Sequence, residues 1–286
     1  MLDGRRFFLA PGAYDCITAQ LVHAGGFPAA YVTGAGLSLA TLGAPDVGLM
    51  SYKEIHDRVA SIVDAVDLPF IADADTGYGG PLNVMRTVRD FERAGVAALQ
   101  IEDQEWPKKC GHEPGKRIVA IREMKGRLAA ALDARTDADL VVIARTDAIG
   151  VEGFDAALER AHVYAEAGAD VIFVEAMPDR DAMARVAAEV RAPVMANLVE
   201  GGKTPMLPRD ELVKMGFAFA IFPNALTRLF ARTGLAMLAS LRETGGTTEW
   251  RAQMMDHQEL WRLFDSPAWH ALEQRFADPA QRDAGA

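Results

Sequence analysis

The chain has 286 residues, and its 40 Asp and Glu against 30 Lys and Arg leave a net charge of −10, which argues against a basic nucleic-acid-binding surface and for small-molecule partners. Its two cysteines, Cys16 and Cys110, are too few for a disulfide framework or a Cys-rich zinc site, and a cytoplasmic location is expected. No apolar run has the length of a signal peptide or a bilayer span, so no membrane partner is expected.

Short apolar, β-rich runs recur along the chain at Phe7–Ala10, Ala30–Thr33, Phe70–Asp73, Ala97–Glu102, Leu140–Arg145, Val171–Glu175, Val194–Asn197 and Phe217–Phe222. Between most of them lie segments with helical apolar spacing: Tyr52–Val66, Pro81–Ala94, Ile121–Ala134, Gly153–Ala167 and Arg180–Val190. A further such segment, Asn224–Arg242, follows the last run. Strands that are apolar throughout belong to a parallel sheet buried on both faces, and eight of them alternating with helices predict a closed (β/α)8 barrel of the TIM type. A doubly wound open sheet is the alternative. The break TGGTTEW after Glu243 predicts a division at that point, with 1–243 forming the barrel and 244–286 a C-terminal helical extension. Trp250, Trp261, Trp269 and Phe276 in the extension need an apolar partner, either their own barrel or a neighbouring subunit.

The runs end in polar residues, and in a barrel such ends converge on one mouth. Asp73 and Asp75 are spaced i,i+2, so an extended strand would aim both carboxylates the same way. Their repulsion is relieved by protonation or by a hard divalent cation, and oxygen-only ligation selects Mg2+ or Mn2+. Glu102, ending the next run, can complete such a shell. Arg145 offers a guanidinium fork for a substrate carboxylate, although Asp147 could instead hold it in a structural ion pair.

The connection Asp103–Val119 is too long for a turn and predicts a mobile gate. Within it, Lys108-Lys-Cys-Gly-His112 places a thiol among cationic groups, a setting that makes Cys110 usable as an acid or nucleophile. By itself the pentapeptide reads better as a basic surface loop with an incidental cysteine.

Taken together, PGAYDCITAQL, AAYVTGAGLSLATLGAPDVGL, PFIADADTGYG, ALQIEDQEWPKKCGH, VVIARTDA and the stretch from VEAMPD through ANLVEGGKTP resemble the isocitrate lyase/phosphoenolpyruvate mutase superfamily over nearly the whole chain. KKCGH after IEDQ resembles the branch that cleaves carbon–carbon bonds. The resemblance implies a Mg2+ site at Asp73 and Asp75, with Asp46 and Glu102 in its outer shell. It implies that Tyr31, Thr33, Gly34 and Ala35 hold a pyruvate-like half of the substrate. Arg145 would grip a carboxylate, Cys110 and Gly111 would close over the site, and Glu175, Asn197 and Arg228 would line the other half. A homotetramer that exchanges C-terminal helices is also implied.

The expected reaction is Mg2+-dependent cleavage of a 2-hydroxy-2-methyl di- or tricarboxylate, of the 2,3-dimethylmalate or 2-methylisocitrate type, to pyruvate and a second carboxylic acid. Arg145, His112 and the lysines would stabilise the developing charge, and Cys110 would protonate carbon. Tyr31, Lys108 or a metal-bound hydroxide could take the hydroxyl proton. Two departures stand out: Thr33 and Ala35 replace residues of a Ser-Gly-Gly pattern, and Val199 stands where methylisocitrate lyases resemble Asn-Ile-Thr-Glu-Phe-Gly, which removes a donor for a third carboxylate. Oxaloacetate decarboxylation on the same scaffold is the enzymatic alternative, and a silent barrel acting as a binding protein is the non-enzymatic one.

Overall fold

A computed structural model describes residue 2, residues 6–111 and residues 113–277. Eight parallel strands close into a barrel in sequence order: β1 (Phe8–Ala13), β2 (Ala30–Val32), β3 (Phe70–Asp73), β4 (Ala98–Glu102), β5 (Val141–Thr146), β6 (Val171–Val174), β7 (Val194–Asn197) and β8 (Phe219–Phe222). β1 closes the ring on β8 through the register Phe8↔Phe219 to Pro11↔Phe222. The open sheet is thereby set aside. By compactness the chain divides into two units, Met1–Thr227 and Arg228–Ala286.

β1 runs three residues past the apolar stretch that announced it, through Pro11 and Gly12 to Ala13. Gly12 permits this, because a Cβ there would stand 1.9 Å from the carbonyl oxygen of Pro223. Three helices were not foreseen. Cys16–Ala24 is short and starts on a capping box between Asp15 and Thr18. Gly34–Leu42 lacks an apolar stripe because it is apolar nearly all round, and Arg209–Met215 is only seven residues long. The last amphipathic stretch comprises two helices, His257–Leu263 and Ser266–Ala277, separated at Asp265, whose φ is +50°.

Side chains fill the barrel in tiers, because alternate strand residues point inward. The lower tiers are apolar: Ala10, Ile71, Ala98, Ile143, Phe173, Met195 and Phe219 form one buried cluster inside the ring. Two residues further along the same strands stand Asp73, Gln100, Arg145, Glu175 and Asn197, all buried. The interior therefore changes from hydrocarbon to ionisable groups on approaching the carboxyl ends. The second cluster, with Phe70, Leu99, Val142 and Ile172, faces the other way and packs with Phe91, Leu128 and Tyr164 of the helices. No helix among the described residues is long and apolar enough to cross a membrane.

Candidate active site

At the carboxyl end of the barrel a cavity of about 40 Å3 is lined by Tyr31, Thr33, Ala35, Asp46, Asp73, Lys108, Lys109, Cys110, Gly111, Arg145, Glu175, Asn197 and Val199, with Ile221, Pro223 and Asn224. Most of the residues singled out from the sequence therefore share one chamber. Arg228 belongs to the second unit, and His112 lies outside the described residues.

One side of the chamber is acidic. β3 ends at Asp73, and the chain turns at Asp75, where φ is +48°, so the extended geometry expected for the pair does not persist. The two carboxylates nevertheless meet: a Cβ on Gly34 would lie 2.9 Å from Oδ2 of Asp73 and 3.5 Å from Oδ1 of Asp75. A side chain at Gly34 would fill this space. Nζ of Lys108 sits 2.6 Å from Asp75 and 2.7 Å from Asp46. Burial pushes the Asp75 carboxyl up to about 7 against the pull of Lys108. Burial alone would lower the Lys108 ammonium, but Asp75 and Asp46 outweigh it and hold it well above its ordinary value. Glu102 is also raised well above the usual carboxylate range by burial, and its Oε1 is buried without a hydrogen-bond partner.

Whether these residues suit a divalent metal follows from their donors. Among the described residues no three His, Cys, Asp or Glu side chains are already gathered in ligating geometry. The donor set is nonetheless four carboxylates, with space between Asp73 and Asp75 and an orphaned oxygen on Glu102. Oxygen-only donors of this kind fit a hard cation such as Mg2+ or Mn2+.

Next to the acids lies an anion cradle. Thr33 caps the helix Gly34–Leu42, its hydroxyl accepting from Gly36 N at 3.3 Å and donating to Oδ1 of Asn224 at 3.4 Å. Gly34 and Ala35 form the first turn of that helix, whose unpaired N–H groups and dipole favour a carboxylate. Tyr31 on β2 donates to Oε1 of Gln100 at 3.0 Å, and Nε2 of Gln100 donates to Asp73 at 3.1 Å. Burial, followed by Asp73, pushes the Tyr31 hydroxyl well up, so it holds its proton. Gln100 was missed, although ALQIE shows a polar residue at the inward position two before Glu102.

The opposite side is built around Arg145. Its Nε lies 2.8 Å from Oδ2 of Asp147 and 3.3 Å from Glu102, and its Nη2 lies 3.3 Å from Glu175. Both readings of Arg145 are thus visible in the geometry, since it is ion-paired to Asp147 and also lines the cavity. Glu175 in turn accepts from Nδ2 of Asn197 at 3.1 Å.

The connection Asp103–Val119 is more ordered than its irregular sequence suggests. An antiparallel bridge, Gln104↔Ile118, ties its two ends, and the side chain of Gln104 pairs with the backbone of Lys109 at 2.8 and 3.0 Å. Its tip rests on the mouth: Cys110 N donates to Asp46 O at 3.1 Å, and a Cβ on Gly111 would stand 2.5 Å from both Nη2 of Arg145 and Oε2 of Glu175. Lys116, unremarked in the sequence, is buried and binds Asp147 at 2.7 Å. A lysine in a basic stretch carries no signal for such a position.

The sequence pattern of the phosphoenolpyruvate phosphomutase family matches residues 2–242. The chain belongs to the isocitrate lyase/phosphoenolpyruvate mutase superfamily. It is 41% identical to the 2,3-dimethylmalate lyase of Eubacterium barkeri, covering 97% of this chain and 96% of that one. It is 39% identical to the 2-methylisocitrate lyase of Aeropyrum pernix, over 99% of this chain and 90% of that one. Among solved structures, oxaloacetate acetylhydrolase with the inhibitor 3,3-difluorooxalacetate superposes with a TM-score of 0.91 at 32% identity, covering 96% of this chain and 94% of that chain. The acids Asp46 and Asp73, the residues Thr33 and Ala35 at the helix terminus and the Cys110–Gly111 tip all line the carboxyl-end chamber of this superfamily member.

Proposed function

We propose that the protein is a Mg2+-dependent carbon–carbon lyase that cleaves a 2-hydroxy-2-methyl di- or tricarboxylate, of the 2,3-dimethylmalate or 2-methylisocitrate type, to pyruvate and a second carboxylic acid. The observation that carries this reading is the seating of Cys110 and Gly111 over Arg145 and Glu175, beside the acid cluster of Asp73 and Asp75. When bound at those acids, the cation supplies Lewis-acid polarisation of the substrate's oxygens.

The chain's own residues do the rest. The helix terminus at Gly34–Ala35 and the Thr33 hydroxyl orient the carboxylate next to C2. Tyr31 holds its proton and enters as a hydrogen-bond donor. Loss of the hydroxyl proton and closure of the C2 oxygen to a ketone break the bond from C2 to C3, and the electron pair passes to the carboxylate-stabilised carbon of the departing half. Arg145 is the buried cation positioned to stabilise that charge, with His112 and Lys108 assigned supporting roles. Cys110 delivers a proton to the carbon, so no water is consumed, and the closed tip keeps bulk solvent out. Glu175 and Asn197 are assigned to the second half of the substrate. Val199 adds methyl groups to that end of the chamber, which favours a dicarboxylate over a tricarboxylate.

A cytoplasmic setting fits two cysteines that form no disulfide. A homotetramer exchanging C-terminal helices fits the need of Trp250, Trp261, Trp269 and Phe276 in the extension for an apolar partner. The second reading, cleavage or decarboxylation of oxaloacetate, is favoured by the likeness to oxaloacetate acetylhydrolase. Assay of pyruvate release from 2,3-dimethylmalate and 2-methylisocitrate, beside consumption of oxaloacetate, all with Mg2+, separates the readings: turnover of oxaloacetate alone would replace the first by the second.

A further inference from the structure

The loop that carries Cys110 and Gly111 is anchored to the barrel by two buried lysines, one before the tip and one after. Lys108 reaches Asp75 beyond the end of β3, and Lys116 reaches Asp147 beyond the end of β5. Nζ of Lys116 also donates to the carbonyl oxygen of Gly111. The Lys116 side chain is 2% exposed and that of Asp147 is 0% exposed, so neither exchanges its partner for water while the loop is seated.

Oδ1 of Asp147 is shared. It accepts from Lys116 at 2.7 Å and from Nη2 of Arg145 at 3.1 Å. Nη2 is the same nitrogen that faces Glu175 and lies beneath Gly111. Three carboxylates, Glu102, Asp147 and Glu175, surround Arg145, and Lys116 is the second cation paired within that group. Burial would raise the Asp147 carboxyl, but Arg145 and Lys116 together pull it down to about 2. With Lys116 withdrawn, Asp147 would compete for Nη2 with one fewer cation, and the site would present one more uncompensated negative charge to an anionic substrate.

We propose that Lys116 is a positioning residue that latches the Cys110–Gly111 tip shut through Asp147 and, by sharing Oδ1, weakens the hold of Asp147 on Nη2 of Arg145. The function of the tip as proton donor rests on the reading above. The latch itself does not, because it exists between groups of the chain alone. Opening the loop must break the Lys116–Asp147 pair, and losing the pair must raise the population of open loop.

The test uses Cys110 as a reporter in a Cys16→Ser background, where it is the one remaining cysteine. The rate of Cys110 labelling by dithionitrobenzoate is measured without ligand and then with MgCl2 plus pyruvate. Lys116→Met is expected to speed labelling in the ligand-free protein about tenfold, with the rate insensitive to low urea, as local opening requires. Asp147→Asn, which preserves the shape of the side chain, is expected to do the same, and Lys116→Met/Asp147→Asn to add little to either single change. Unaltered ligand-free labelling in both single variants would overturn the latch, as would acceleration that appears only in proportion to global unfolding. Protection by MgCl2 plus pyruvate in the parent tests the lyase reading separately. Its failure there, with the ligand-free acceleration intact, would leave the latch standing and remove the substrate assignment.

Discussion

Nζ of Lys108 stands 2.6 Å from Oδ1 of Asp75, so the residue two before the proposed proton donor is bound to the residue two after the end of β3. The ammonium, held well above its ordinary value by Asp75, Asp46, Asp73 and Glu102, offsets charge among those four carboxylates. Loop and acid cluster are therefore parts of one electrostatic unit.

The first consequence concerns the acid cluster. Asp73→Ala should lower turnover by at least about a thousandfold, while the melting temperature stays within a few degrees, because the carboxyl end of a barrel serves function more than stability. Parallel kinetics and calorimetry check it; retained turnover would remove the metal role.

Cys110→Ser should lose most carbon–carbon cleavage, because a serine hydroxyl is a much weaker acid than a thiol. Pyruvate affinity in the presence of Mg2+ should survive, since the Thr33–Ala35 cradle is untouched. Turnover and pyruvate titration on one preparation give both numbers, and near-wild-type turnover would remove the proton-donor role.

At Gly111 the space for a methyl group is already occupied by Arg145 and Glu175, 2.5 Å away. Gly111→Ala should therefore prevent the tip from seating, raising KM and lowering kcat together by about tenfold or more, while leaving the barrel folded. Steady-state kinetics read the effect; unchanged parameters would show that the tip does not rest there during turnover.

These effects were legible to very different degrees in the amino-acid order. The barrel was plain because strands such as FIAD, VVIA and VIFV are buried on both faces and therefore apolar without alternation. Asp73, Arg145 and Cys110 stood out because each interrupts a local pattern. Gly34–Leu42 was hidden by its lack of a polar face, and Lys116 by its resemblance to ordinary basic residues of a loop. Partnership across the chain, here between positions 116 and 147, leaves no local signature.

Acid stability follows from Asp147, whose folded carboxyl is held at about 2 by Arg145 and Lys116 against about 3.9 in an unfolded chain. A depressed acid stabilises above its unfolded value and loses that contribution as pH falls toward the folded one. The stability difference between wild type and Asp147→Asn should narrow by about 1 kcal/mol between about pH 6 and about pH 3. Urea midpoints at the two pH values measure it; a gap that widens would contradict the assignment.

The most direct test of the central claim is pyruvate formation from 2,3-dimethylmalate by the wild-type enzyme, followed with Mg2+, after chelation, and after Mg2+ is restored. The lyase account predicts stoichiometric pyruvate with Mg2+, loss of turnover in excess chelator and recovery on readdition. Full turnover in chelator, or no pyruvate from either 2,3-dimethylmalate or 2-methylisocitrate while oxaloacetate is consumed, would contradict it.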